Sequence, residues 1–106
     1  MLTITKNLAD DILNLIKNLI QSAKIITDQA TRDVIIVNKT IIDNTETNEL
    51  SLNIEIYRSE EISEVLTEIR FFNSSNNLVF KTINLNINLP DTKVSFIYQI
   101  KLIYSV

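Results

Sequence analysis

Acidic side chains form the two groupings in this chain whose types and spacing could do chemistry. They are the adjacent pair Asp10 and Asp11, and a cluster of Glu60, Glu61, Glu64 and Glu68. Carboxylate oxygens alone can hold a divalent cation or attract a basic partner. The aspartates also suit the early turns of a predicted helix, where they complement its dipole. We therefore predict a solvated acidic face and no metal site, with a cation or basic-partner site as the alternative.

Missing residue types exclude most other chemistry. The 106 residues include no His, Cys, Trp or Gly. Nucleophilic catalysis by serine or cysteine needs a base, which is usually histidine, and phosphate-binding loops need glycine. We predict that the protein is not an enzyme and that it uses no catalytic residue, cofactor, metal or small-molecule substrate.

Charge and aromatic placement argue against nucleic-acid binding. The formal net charge is −3, whereas a duplex-binding protein needs a basic footprint. Stacking on single strands would need exposed aromatic rings beside cations. Phe72 near Arg70, with Lys81 across a predicted hairpin, is the best candidate, and packing in a core or interface is the simpler interpretation. We expect no nucleic-acid partner.

The hydrophobic period changes once, near residue 32. Apolar residues recur every three to four positions over residues 4–30 and every second position from Val34 to Val106. The pattern predicts an α+β fold, in which an N-terminal amphipathic helix precedes a four- to five-stranded antiparallel meander or small sandwich. The helix should run from about Thr5, with Thr3 or Thr5 as its N-cap, to about Asp28. We divide the chain into a helical arm, 1–31, and a β domain, 32–106.

One helix stripe follows a heptad-like spacing and is a candidate interface: Leu8, Ile12, Leu15, Leu19 and Ile26. A helix of this kind either covers the sheet of its own chain or associates with other copies, and both interpretations stay open.

The β region predicts five strands, with Asn and Asp taking the turn positions that glycine usually fills. The strands are Val34–Ile42, Leu50–Tyr57, Glu64–Asn73, Leu78–Leu89 and Val94–Val106. The turn residues are Asp43-Asn44, Asn73 to Asn77 and Asp91. The last strand alternates throughout and supplies the remaining candidate interface residues, Phe96, Tyr98, Ile100, Leu102 and Tyr104.

Hydropathy indicates no membrane partner. No run of about 18 apolar residues is present, and Met1 precedes a polar, charged segment instead of the apolar core of a signal peptide.

The whole pattern resembles that of small phage virion proteins of the head-fibre, neck or tail-fibre adaptor type. The similar features are the helix over residues 8–26, the hairpin over residues 70–80 and the long closing strand over residues 94–106. The resemblance implies a structural protein that forms a homo-oligomer, with a homotrimer as the expected state, and that binds other virion proteins. We therefore expect the protein in a virion, if a phage encodes it, and otherwise in the cytoplasm. The alternative is a small acidic binding module that inhibits a host defence protein.

Overall fold

One helix and one curled antiparallel sheet make up the fold. The computed structural model describes residues 2–106. In that part of the chain, α1 spans Lys6–Leu19 and is followed by β1 (Ser22–Thr27), β2 (Thr31–Asn44), β3 (Glu49–Arg58), β4 (Glu64–Phe72), β5 (Leu78–Thr82), β6 (Ile87–Leu89) and β7 (Val94–Ile103). The predicted α+β class is confirmed. The predicted number of strands is wrong, because seven strands form a half-barrel where four or five were expected.

The order of the strands places β7 at one edge of the sheet. Along the sheet the order is β5-β4-β1-β2-β3-β7, and β6 also pairs with β4. The curl brings distant strands together across the concave face. The ring of Phe71 on β4 lies 5.8 Å from the ring of Tyr98 on β7. Phe71 also stacks on Phe80 of the neighbouring strand β5, with ring centroids 4.6 Å apart. The sheet therefore fills part of its own interior.

The helix ends earlier than its apolar pattern suggests. Thr5 is the N-cap, as expected, and its hydroxyl accepts a hydrogen bond from the Leu8 N–H at 3.2 Å. The helix stops at Leu19, and residues 22–27 form β1 with an alternating burial pattern. The β-branched run Ile25-Ile26-Thr27 favours a strand. The predicted end at Asp28 is wrong, and Ile26 of the predicted helix stripe lies on β1.

The division predicted between residues 31 and 32 falls inside the sheet. β1 lies before this point and pairs in antiparallel register with β2, with Ala23 opposite Val34. The same β1 also pairs with β4, with Ala23 opposite Phe71. The first strand thus lies in the middle of the sheet, so residues on both sides of the division share one set of backbone hydrogen bonds.

Asparagine replaces glycine where the backbone turns left-handed. In the described residues, positive φ angles occur at Asn48 (55°), Asn76 (60°) and Asn84 (60°). Asparagine tolerates this region better than most other residues. Asn76 lies in the turn predicted over residues 73–77. Asn84 interrupts the strand predicted over residues 78–89, which is why the structure has two short strands there, β5 and β6.

The core lies between the helix and the concave face of the sheet. The helix contributes a face with Ala9, Leu13 and Ile20 buried. The sheet contributes the other buried apolar residues: Ala23, Ile25, Val34, Leu50, Leu52, Ile54, Ile56, Leu66, Ile69, Phe71, Leu89 and Tyr104.

A fully buried arginine ties two connections of the sheet together. Arg58 ends β3, and its guanidinium donates hydrogen bonds to the carbonyls of Ile62 (2.8 Å), Pro90 (2.6 Å) and Thr92 (2.8 Å). Ile62 lies in the β3–β4 connection, whereas Pro90 and Thr92 lie in the β6–β7 connection. One side chain thus holds both connections at the same end of the half-barrel.

The charge of this arginine is balanced inside the protein. Glu64 is also fully buried, and its Oε2 lies 3.4 Å from Nη1 of Arg58. Its two carboxylate oxygens accept hydrogen bonds from Nε of Arg32 at 2.9 Å and 2.6 Å. A buried charge is tolerated only when it is paired and hydrogen-bonded, so this carboxylate is required by both arginines.

We predict that Arg58→Met lowers the free energy of unfolding by about 3–5 kcal/mol, because it removes the donor to three carbonyls of the two connections and leaves the buried Glu64 carboxylate with Arg32 as its remaining cation. Urea unfolding followed by circular dichroism measures the change. Arg70→Met is the matched control, since Arg70 is partly exposed and pairs with Glu68 at the surface. It should cost less than about 1 kcal/mol. Equal losses in the two variants would contradict the assigned role of Arg58.

Candidate functional site

The helix carries two apolar faces, and only one of them packs on the sheet. Leu8, Ile12, Leu15 and Leu19 share one face at a 4-3-4 spacing, and we name them the outer stripe. Leu8 is 46% exposed, Leu15 60% and Leu19 41%, whereas Ile12 is half-buried. At about 100° per residue, the packed face lies about 100° around the helix from the outer stripe. The outer stripe therefore presents apolar side chains to solvent.

The structure brings together four of the five helix residues predicted to form an interface. These four are the outer stripe, and Ile26 is separated from them on β1. The helix does cover its own sheet, as one of the two open interpretations expected, but through Ala9, Leu13 and Ile20. Contact of the outer stripe with another chain stays a prediction.

A three-residue cluster fixes the first turn of the helix. Lys6 Nζ lies 2.6 Å from Oδ2 of Asp43, at the end of β2, and 5.7 Å from the centroid of the Tyr104 ring. The Tyr104 hydroxyl donates a hydrogen bond to Oδ1 of the same carboxylate at 2.9 Å. Asp43 thus joins the helix to both β2 and the segment that follows β7.

The pKa values of this cluster shift in the directions that its hydrogen bonds require. The hydrogen bond and charge of Asp43 raise the pKa of Lys6. The hydrogen bonds from Lys6 and then from Tyr104 lower the pKa of Asp43. Burial, followed by the hydrogen bond to Asp43, raises the pKa of the Tyr104 hydroxyl. The folded state therefore favours a charged Lys6–Asp43 pair beside a neutral tyrosine.

A lysine from the sheet caps the last turn of the helix. Lys39 Nζ donates hydrogen bonds to the carbonyls of Lys17 at 2.8 Å and Ile20 at 2.7 Å. The last carbonyls of a helix lack partners within the helix, and a cation there also complements the helix dipole. Burial and the charge of Lys17 lower the pKa of Lys39. Both ends of α1 are thus held on the sheet, which gives the outer stripe a defined orientation.

The candidate interface residues of the last strand lie on the concave face. Phe96, Tyr98, Ile100 and Leu102 are half-buried and pack against the core, and Tyr104 is buried. These side chains therefore pack within their own chain. Whether they also meet a second chain stays a prediction.

The acidic cluster predicted over residues 60–68 does not form one face. Glu64 lies inside the protein, while Glu68 pairs with Arg70 and lies 3.8 Å from Lys81. Asp10 and Asp11 are exposed on the helix. Within the described residues, no group of three acidic, histidine or cysteine side chains is placed to hold a metal ion.

The basic and aromatic residues considered for stacking single strands are partly occupied by other contacts. Arg70 does lie opposite Lys81 across the hairpin, as the sequence suggested. Both cations face the Glu68 carboxylate, and the half-buried Phe72 lies 6.0 Å from Nζ of Lys24. The single Glu68 carboxylate balances one of these two positive charges.

An open cavity of about 400 Å³ lies between the two terminal segments. It is lined by Leu2, Thr3, Ile4, Ile103, Tyr104 and Ser105. Tyr104 is the only titratable side chain among these lining residues, and it already bonds to Asp43. In residues 2–106, no helix is both long enough and apolar enough to cross a membrane.

Sequence reasoning missed the two cations that position these elements. Arg58 follows Leu50, Leu52, Ile54 and Ile56 in the same alternating phase, so its inward direction could have been found from the period of β3. Lys39 gave no such signal. A register shift between Ile36 and Asn38 changes the face on which the later residues of β2 lie.

We predict that Asp43→Asn destabilises the protein at neutral pH and that the difference from wild type shrinks below about pH 4, the ordinary range of the aspartate pKa. A lowered folded-state pKa supplies stability above the unfolded-state pKa, and that stability is lost as pH falls through the folded-state pKa. Thermal unfolding from pH 2 to pH 8 measures the difference. Asp33→Asn is the control, because Asp33 is exposed and 3.8 Å from Lys24. A pH-independent difference for Asp43→Asn would contradict the assignment.

Comparisons with protein families, with curated proteins and with solved structures found no match for this chain.

Proposed function

We propose that this chain is a non-enzymatic structural protein that self-associates, and that the outer stripe of α1 is its interface. The observation that carries the proposal is the exposure of three leucines on one face of a helix whose two ends are held. Contiguous exposed apolar surface on a soluble protein usually marks an interaction site. The stripe is presented without the conformational cost of ordering a free helix.

The spacing of the outer stripe suits helix-to-helix packing. Ile12 and Leu19 occupy heptad a positions, and Leu8 and Leu15 occupy d positions. Burial of this stripe would contribute about 25 cal/mol for each Å² of apolar surface removed from water. The 14 residues of α1 supply only two heptads. Neighbouring parts of the sheet are therefore expected to add to the contact.

A homotrimeric virion component is the specific form of this proposal, with other virion proteins as further partners. Its support is the resemblance to phage neck, head-fibre and tail-fibre adaptor proteins, in which an N-terminal helix and a β-rich part assemble into oligomers. The alternative of an acidic inhibitor has less support, because Glu64 and Glu68 are paired with arginines and do not join an acidic surface.

We predict that Leu15→Asp combined with Leu19→Asp, the aspartate stripe variant, abolishes the three-chain assembly, because two buried charges in an apolar interface would lose their hydration. Light scattering at two concentrations, in low and high salt, measures the mass. Wild type should show the mass of three chains, or of a whole multiple of three, in both salts.

The control is the double variant Asn7→Asp and Asn18→Asp, which adds the same two charges about 100° away from the outer stripe. It should keep the wild-type mass. Circular dichroism should show an unchanged helix content in both double variants, since none of the four residues is buried. A single-chain wild type, or an aspartate stripe variant that keeps the wild-type mass, would refute the proposal.

A further inference from the structure

The edge strand β7 has no partner strand on one side, and just beyond its end Ile4 bonds to Ser105 on that same side. It pairs with β3 in an uninterrupted register that runs from Glu49 opposite Ile103 to Arg58 opposite Val94. No other strand of the described chain pairs with β7. A free strand edge presents a row of unpaired N–H and C=O groups, to which another chain can add.

The hydrogen bonds at the end of β7 show which residues face the free side. The Tyr104 N–H donates to the Asn48 carbonyl at 2.9 Å, toward β3, and the Ser105 N–H donates to the Ile4 carbonyl at 2.8 Å, away from β3. Along an antiparallel strand, the backbone N–H and C=O groups of successive residues point alternately to one side of the strand and to the other. The outward backbone groups of β7 therefore belong to Ser95, Ile97, Gln99, Lys101 and Ile103.

The two edges of the sheet differ in how they resist pairing. The opposite edge consists of the short strands β5 and β6, of five and three residues, with a register shift between Phe71 and Phe72 of the adjoining β4 and with Pro90 directly after β6. Such features discourage the addition of another strand. In contrast, β7 has ten residues, no proline and no register shift.

We propose that β7 pairs antiparallel with β7 of a second copy of this chain, about a two-fold axis through Gln99. In this register every outward residue of one copy meets an outward residue of the other. Gln99 meets itself, Ile97 meets Lys101, and Ser95 meets Ile103. Each of these residues then donates and accepts one backbone hydrogen bond.

The side chains favour the same register. On the concave face, Phe96 would meet Leu102 of the second copy, and Tyr98 would meet Ile100 of the second copy. All four are apolar and half-buried, so pairing would cover them further. Centring the axis on Ile97 would instead place Lys93 opposite Lys101, which like charges disfavour. The match of the strand with itself is the reason to assign a second copy as the partner.

This interface is separate from the outer stripe, because it lies on another element and uses backbone groups. Its test uses the absence of cysteine from the chain, which makes an introduced thiol unique. Gln99→Cys places two thiols at the axis. Opposed residues of a hydrogen-bonded pair have Cα atoms about 5.5 Å apart, within the range that a disulfide spans.

The full-length Gln99→Cys protein should form a disulfide-linked dimer under mild oxidation at least about tenfold faster than Ile97→Cys, because pairing raises the effective thiol concentration only at the axis. Ile97→Cys is the matched control on the same face of the same strand. The double variant Ile97→Cys and Lys101→Cys should link as fast as Gln99→Cys, since those residues face each other. Cross-linking of Gln99→Cys no faster than that of Ile97→Cys would overturn the proposal.

A second measurement follows association by light scattering, without a cross-link. Ile97→Lys should weaken association of the aspartate stripe variant by about tenfold, because lysines then face each other at positions 97 and 101. Adding Lys101→Glu should restore it. In this background the helix interface is absent, so cross-linking at residue 99 that persists supports the β7 interface alone. Loss of cross-linking there would show that the thiols met only through the helix assembly and would overturn the β7 assignment.

Discussion

The buried guanidinium of Arg58 is the constraint on which the shape of the half-barrel depends. A cation removed from water must find acceptors, and here they are carbonyls of the two connections that precede β4 and β7 together with the Glu64 carboxylate. Val94 begins β7 two residues after Thr92, whose carbonyl accepts one of these bonds. The direction in which β7 leaves this point, and hence the position of the free edge, follows from a polar contact at the end of an otherwise apolar face.

The helix shows how one sequence pattern can serve two surfaces. A period near 3.6 produces the outer stripe. About 100° around the helix it also produces the narrower face of Ala9, Leu13 and Ile20. The face with the larger side chains stays largely exposed, and the narrower face packs on the sheet. What decides the orientation is at the helix ends, where Asp43 holds the first turn and Lys39 the last. The small side chain of Ala9 also permits a close approach to the sheet, which a leucine at that position would prevent.

Several features of the fold were predictable because burial imposes a period of two. That period located β2, β3, β4 and β7 to within a few residues. The capping chemistry of threonine separately indicated Thr3 or Thr5 as the N-cap, and Thr5 is the one observed. It failed at β1, whose apolar residues continue the helical spacing, and at Asn84, where a single left-handed residue divides a strand without changing the alternation. The inward position of Lys39 depends on a register shift, and register is a property of two strands together. For the candidate site, the stripe was readable from spacing alone, whereas its exposure depends on which face the sheet takes.

The parallel bridge between Thr5 and Ser105 has a consequence for the connectivity of the fold. These residues lie beside each other, and the Ser105 N–H donates to the Ile4 carbonyl. A short linker could therefore join the two terminal segments into a closed loop without moving the helix or β7. New ends could then be opened in the exposed turn over residues 74–77, between the paired strands β4 and β5. The contacts of the fold would thus be compatible with a second order of the same elements, in which the chain is joined at its terminal segments and opened at this turn.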